Sequence, residues 1–254
     1  MYTRIKQLAK KFVPKYSSLK VPVEWIEKSD RSFLAQYFKD DFIEPEKTSY
    51  SSRIEELAKE TNQFGPQPLW SGYQGNNIAG PTRTPDVVRT SPTIGNLYCD
   101  LVQKLKPNTI VEFGTAFGVS GMYFLAGIES NRKGQLLTFE PNDVWRNIAV
   151  RNLAQISNRF NSVLGTFEEH IDRILAEAQT IDLAFIDAIH TKEFVISQLE
   201  TVIARSNDKA IIILDDINFS DSMRECWKQV SRDRRFSSSV TISQRVGIIE
   251  LGEF

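Results

Sequence analysis

Residues 109–120 read TIVEFGTAFGVS. The opening TIVEF is a short, near-continuous apolar run, as in a strand of a parallel sheet covered on both faces. Gly114 and Gly118 then frame a tight turn, since glycine lets the backbone bend sharply and come close to a ligand. A helix is expected from about Val119 to Glu129, and its free amides, with Ser120, can hold a carboxylate. The next apolar run, LLTFE at 136–140, ends in Glu140. An acid at the end of that strand can accept both hydroxyls of a ribose, as in dinucleotide folds.

Outward from this unit the same alternation repeats. Trp145, Ile148, Ala149, Leu153 and Ile156 stand at helical spacing. A strand at Ser162–Leu164 follows, and Thr166 with Glu169 forms a capping box that opens another helix. IDLAFID (181–187) and AIIILDD (210–216) are further strands. Between them a helix carries Val195, Leu199, Val202 and Ile203, and a last helix covers about Ser222–Val230. SSVTIS and VGIIEL close the chain, with a link too short for a parallel crossover, so they form an antiparallel hairpin. Apolar strands alternating with helices mean a parallel sheet covered on both faces. Upstream, Gly, Pro and Asn gather in residues 62–96. Only short helical patterns precede them, at Phe33–Phe38 and Ser52–Glu60. The expected division is a helical N-terminal extension or lid over 1–87 and an α/β domain over 88–254.

Composition narrows the partners. The 254 residues carry a formal net charge of −1, with 41% hydrophobic and 25% charged residues. That gives no global basic field for nucleic acid. No apolar run approaches the roughly 18 residues needed to span a bilayer, and the start lacks a secretory apolar stretch. Cys99 and Cys226 form no metal-type pair, so a reduced, cytoplasmic setting is expected. The basic first twenty residues read as a solvated helix face. A small-molecule partner is expected, with a homodimer as an open option.

VEFGTAFGVSG resembles the first motif of class I S-adenosylmethionine-dependent methyltransferases, and LLTFEP their ribose-binding acid. The resemblance implies an α/β Rossmann-like sheet of strand order 3-2-1-4-5-7-6, with strand 7 antiparallel. It also implies S-adenosylmethionine as cofactor. The loop contributes Glu112, Gly114, Thr115, Ala116, Gly118 and Ser120, with Gly114 and Ser120 at the methionyl part. Glu140 and Pro141 follow at the ribose, and Thr166, Phe167 and Glu168 at the adenine. Ser91 and Asp187 complete the implied cofactor set. A nicotinamide dehydrogenase is the rival reading, but it requires GxGxxG where this chain has GxxxG.

Strand four ends at Asp187 and strand five at Asp215-Asp216. In the implied order these strands are neighbours, about 4.8 Å apart, and three carboxylates at one place need a proton or cation between them. Hard oxygen ligands without cysteine favour Mg²⁺, Mn²⁺ or Ca²⁺. FIDAIH followed by ILDDI resembles the metal-binding motifs of catechol and caffeoyl-CoA O-methyltransferases, and the interval of 28 residues agrees with the catechol type. RTSPTIGNLYCDLVQKL is similar to the helix before the first strand in the caffeoyl-CoA branch. Two departures stand out. The second motif ends Asp-Asp rather than Asp-Asn, as in bacterial sugar and natural-product enzymes, and His190 stands where the catechol type has a lysine. The expectation is therefore Mg²⁺ or Mn²⁺ on Asp187, Asp215 and Asp216, with Asp187 and His190 catalytic. His190 reads as the general base that deprotonates an acceptor hydroxyl, with a capping histidine or a metal ligand as alternatives. A metal-independent enzyme and a non-catalytic cofactor-binding subunit remain open too. His170 reads as solvated and Asp182 as structural. Trp70, Tyr73, Phe219 and Trp227 are candidates for an acceptor pocket, with core or lid packing as the alternative.

Overall fold

The computed structural model describes residues 20–69, 82–176 and 179–252. Trp70, Tyr73 and all but the last of the basic first twenty residues lie outside the described residues. The strands are β1 (Val21–Glu27), β2 (Phe42–Ile43), β3 (Gln67–Pro68), β4 (Thr82–Arg83), β5 (Thr109–Phe113), β6 (Gln135–Glu140), β7 (Phe160–Leu164), β8 (Ile181–Ile186), β9 (Ser206–Leu214), β10 (Phe236–Ile242) and β11 (Val246–Leu251). The helices are α1 (Phe33–Tyr37), α2 (Ser51–Asn62), α3 (Pro92–Leu105), α4 (Val119–Asn131), α5 (Asp143–Ala154), α6 (Phe167–Ile174), α7 (Lys192–Ala204) and α8 (Asp221–Val230). None of the described helices is long and apolar enough to cross a membrane.

One sheet runs β2-β1-β10-β11-β9-β8-β5-β6-β7. From β7 to β10 this is the expected order, with β11 antiparallel to both β9 and β10. Period-two alternation sends successive residues to opposite faces. On β9, Ile211 and Ile213 join the core layer of α3 and α4, while Ile212 and Leu214 join that of α7 and α8. On β8, Leu183 and Phe185 take the first side, and Ala184 and Ile186 the second. Each fully buried aliphatic or aromatic side chain contributes about 1.5–3 kcal/mol relative to exposure, which is why both faces must be covered.

The N-terminal segment departs from the expected helical extension. α1 and α2 form where their patterns indicated, but Val21–Glu27 is a strand that pairs antiparallel with β10, matching Val23 to Ile242 and Trp25 to Val240. Val21 and Val23 are buried while Pro22 and Glu24 are exposed. β10 carries the buried run Ser237-Ser238-Ser239. Ser238 Oγ accepts from Ser29 N at 2.9 Å, and Ser239 Oγ from Glu27 N at 3.2 Å. These hydroxyls meet backbone donors that burial would otherwise leave unpaired.

Candidate active site

The turn between β5 and α4 is knotted from below. Glu112 is fully buried, and accepts Ser120 Oγ at 2.5 Å and Thr138 Oγ1 at 2.6 Å. The hydroxyls of Thr115 and Thr138 lie 2.5 Å apart. Thr138 has one proton and gives it to Glu112, so Thr115 donates to Thr138. Burial pushes the Glu112 carboxyl up to about 7, against the two hydroxyls that lower it. One side chain thus ties together the loop, β6 and the first turn of α4.

Above this knot the backbone is tightly specified. Gly114 has φ 86°, and a Cβ there would lie 2.1 Å from the carbonyl oxygen of Asp187. The loop therefore presses against the end of β8 as only glycine allows. Ala116 also sits in the left-handed region, at φ 47°. This conformation costs a non-glycine residue about 1–2 kcal/mol, offset here by its N–H donating to Glu140 Oε2 at 2.8 Å. The other Glu140 oxygen accepts the N–H of Asn142 at 2.9 Å. Burial pushes the Glu140 carboxyl up to about 7, and these two amides pull the other way.

Glu140 faces a cavity of about 320 Å³ at the carboxyl ends of the strands, where open α/β sheets bind ligands. Of the residues expected at the cofactor, Gly114, Ala116, Glu140, Pro141, Thr166, Phe167, Glu168 and Asp187 line it. Glu112, Thr115, Gly118 and Ser120 do not, because the hydroxyls and the carboxylate bond one another beneath the loop and Gly118 turns the chain into α4 at φ 84°. Ser91 is off the cavity as well, as the N-cap of α3. Trp145, read in the sequence only as one of a helically spaced set, and Gln198, not singled out there, do line it. They occupy buried helical positions, and helical spacing alone reads such positions as core.

At the other end of the cavity stand Asp187, Asp216 and His190. His190 Nε2 lies 3.7 Å from Asp187 Oδ1 and 3.7 Å from Asp216 Oδ2. Its ring packs on Phe219 at 5.2 Å between centroids, and Phe219 is 66% exposed at the cavity wall. Burial, then Asp215 and Asp216, hold the Asp187 carboxyl well above its usual range, with Arg245 opposing. Asp216 is raised by burial and Asp215, with Arg245 and His190 opposing. Trp227 belongs to the core, its indole N–H donating to Thr241 Oγ1 at 3.0 Å. Asp182 is structural, accepting the N–H groups of Asn108 and Thr109. His170 bonds only the exposed Arg173 among the described residues.

The expected metal set meets a different cation. Arg245 Nε and Nη2 bond the two oxygens of Asp215 at 3.1 and 2.9 Å, and Nε lies 2.9 Å from Asp216 Oδ1. Asp215 Oδ1 also takes the N–H of Asp216 at 2.9 Å. Asp215 is 3% exposed and does not line the cavity. Among the described residues no group of three or more His, Cys, Asp or Glu side chains is arranged to hold a metal ion. These residues therefore do not fit the Mg²⁺ or Mn²⁺ expected on Asp187, Asp215 and Asp216. The repulsion that called for a positive partner is relieved by a guanidinium. A lone arginine in a turn has no motif, but the topology held the signal. β10 runs parallel to β9, so the turn after it must lie at the same edge as the ends of β8 and β9.

The methyltransferase-domain family model matches residues 111–217, from the middle of β5 to just beyond β9. Over that stretch the chain is similar to a methyltransferase domain. A curated protein of Mycolicibacterium vanbaalenii named "Putative O-methyltransferase" is 32% identical over 101 residues, which is 39% of this chain and 43% of that protein. The match thus spans less than half the length of that relative. The O-methyltransferase of Bacillus cereus in complex with SAH superposes at TM-score 0.60 and 20% identity, covering 87% of this chain and 98% of the other. TomG of Streptomyces achromogenes, an O-methyltransferase involved in tomaymycin synthesis and solved with SAM, gives 0.58 and 13%, covering 87% and 96%.

Proposed function

We propose that this methyltransferase domain transfers a methyl group from S-adenosylmethionine to a hydroxyl of a small molecule, such as a sugar, a phenol or another secondary metabolite. Glu140 carries the reading. Each of its oxygens accepts one backbone N–H, and a carboxylate offers about four lone-pair sites, so two remain for the two hydroxyls of a ribose. The SAH and SAM present in the similar solved structures support the donor, and the named relative supports oxygen as the acceptor atom. The cavity volume falls in the ordinary range for small-molecule sites, about 300–1,000 Å³.

S-adenosylmethionine supplies an electrophilic methyl group on a sulfonium. Gly114 and Ala116 let the backbone approach the donor, and Phe167 and Glu168 stand at the adenine end. With the donor bound, transfer would form a carbon–oxygen bond as the carbon–sulfur bond broke, leaving S-adenosylhomocysteine, and the hydroxyl proton would have to leave. His190 Nε2 takes it, and the carboxylates of Asp187 and Asp216 stabilise the imidazolium that results. No step is routed through a metal ion.

Calorimetry tests the donor. The protein should bind S-adenosylmethionine and not NAD. Glu140→Ala should weaken binding at least tenfold, since hydrogen bonds to a charged group contribute about 1.5–3 kcal/mol each. Tight NAD binding, or unchanged donor affinity in the variant, would sink the reading. With an acceptor found by screening hydroxyl compounds, His190→Ala should lower turnover roughly 10²–10⁴-fold with donor affinity unchanged. Near-normal turnover would assign the proton to another group.

A further inference from the structure

We propose that Arg245 is a built-in replacement for the divalent cation of the catechol and caffeoyl-CoA enzymes that this site resembles, so that the acidic strand ends work without metal. The inference rests on the methyltransferase reading for its chemical meaning, but its geometry stands alone. The guanidinium grips Asp215 through two parallel bonds and reaches Asp216 as well. Paired bonds of this kind match the planar fork of arginine to a carboxylate. Asp215 has both oxygens engaged, so a metal ion would have to displace the arginine before it found a ligand there.

The position of Arg245 is fixed by backbone. It closes the β-turn Ile242–Arg245, its N–H donating to Ile242 O at 3.0 Å. The two central residues, Ser243 and Gln244, have φ of 50° and 56°, as in the tight hairpin turns whose twist matches the flanking strands. Its carbonyl accepts the N–H of Ile217, just past the acidic pair, at 3.0 Å. The arginine is thus pinned from both sides to the chain that carries Asp215 and Asp216.

Two consequences separate this cation from a metal. A guanidinium offers hydrogen bonds and a single charge, with no coordination position at which a hydroxyl could bind and lose its proton. Deprotonation of the acceptor then falls to His190, 3.7 Å from both Asp187 and Asp216. The Arg245 side chain is also 47% exposed and lines the cavity, and its Nη1 makes no hydrogen bond among the described residues. Those N–H donors remain for the acceptor oxygen, on which negative charge grows as the proton leaves. Arg245 thus both holds the carboxylates and faces the acceptor.

Titration with Mn²⁺, followed by electron paramagnetic resonance on the whole protein, tests the idea without an acceptor. The wild type should show no saturable site in the micromolar range. Arg245→Met frees the carboxylates from their counter-charge and should bind one Mn²⁺ at least about tenfold more tightly than wild type. Arg245→Gln serves the same purpose should the methionine variant not fold. A stoichiometric micromolar Mn²⁺ site in the wild type overturns the inference whatever the variants do. So does a folded variant with no gain in Mn²⁺ affinity. Calorimetry with S-adenosylmethionine on the same sample keeps the two claims apart. Failure to bind the donor would indict the methyltransferase reading and leave the Mn²⁺ result to judge Arg245.

Discussion

The Glu140 carboxyl is 5% exposed, yet it lies on the wall of the cavity. Burial raises it to about 7, although two backbone amides favour its charged form. Ribose hydroxyls would act in the same sense as those amides, because donors to a carboxylate stabilise the ion. The sign follows. Below about 7 the unliganded carboxyl is largely protonated, and donor binding must expel that proton. Affinity for S-adenosylhomocysteine should therefore rise as pH increases toward about 7 and level off above it. Calorimetry in two buffers of different ionisation enthalpy measures the proton released, and Glu140→Gln should abolish the release. Affinity that is flat between pH 5 and 7 would show that Glu140 is not the ribose partner. Glu112 is raised to a similar value, but both its oxygens are spent on hydroxyls inside the protein. Two acids of near-equal titration thus divide the work, one holding the loop and the other facing the ligand.

Among the elements, β11 reaches across the sheet to organise α1. Glu250 on β11 accepts the N–H of Phe33 at 2.9 Å and of Leu34 at 2.8 Å, and Ser32 caps the same helix through Ala35 N. A five-residue helix cannot hold itself together in water, so these long-range acceptors determine whether it forms. Burial raises the Glu250 carboxyl, and the two amides oppose that. Glu250→Ala leaves both donors without an acceptor, at about 1–3 kcal/mol for each unsatisfied buried group. A chain of this size loses about 2–4 °C in Tm per kcal/mol, so a fall of roughly 5 °C or more is expected. Glu250→Gln keeps one acceptor oxygen and should fall less. Calorimetric melting curves decide, and equal Tm values for wild type and Glu250→Ala would remove α1 from the stabilising framework.

Across the whole molecule, sequence reading succeeded where the signal is local and periodic. The strand runs TIVEF, LLTFE and IDLAF, the capping box at Thr166 and Glu169, and the short final link made the alternating strands, the helices and the closing hairpin legible, and the family resemblance implied the order seen from β7 to β10. Glu140 was legible because its strand ends on it. The missing pieces depend on partners far away in the chain. Val21–Glu27 alternates like a strand, but its place is set by a serine run more than 200 residues later. Ser120 reads as a ligand-binding hydroxyl until the acid beneath it is seen. Arg245 carries no periodicity, only a place at the edge of the sheet. The pairing of β1 with β10 also bears on the order of events during synthesis. Glu27 and Ser239 are 212 residues apart, and at about 5–20 residues per second the ribosome needs roughly ten to forty seconds to travel between them. For that interval Val21 and Val23 have no sheet to join, and the nascent chain presents an unpaired apolar strand to whatever surrounds it. The first of the described strands to be made is thus among the last of them to be seated, and the β10 edge is sealed only after the parallel strands are complete.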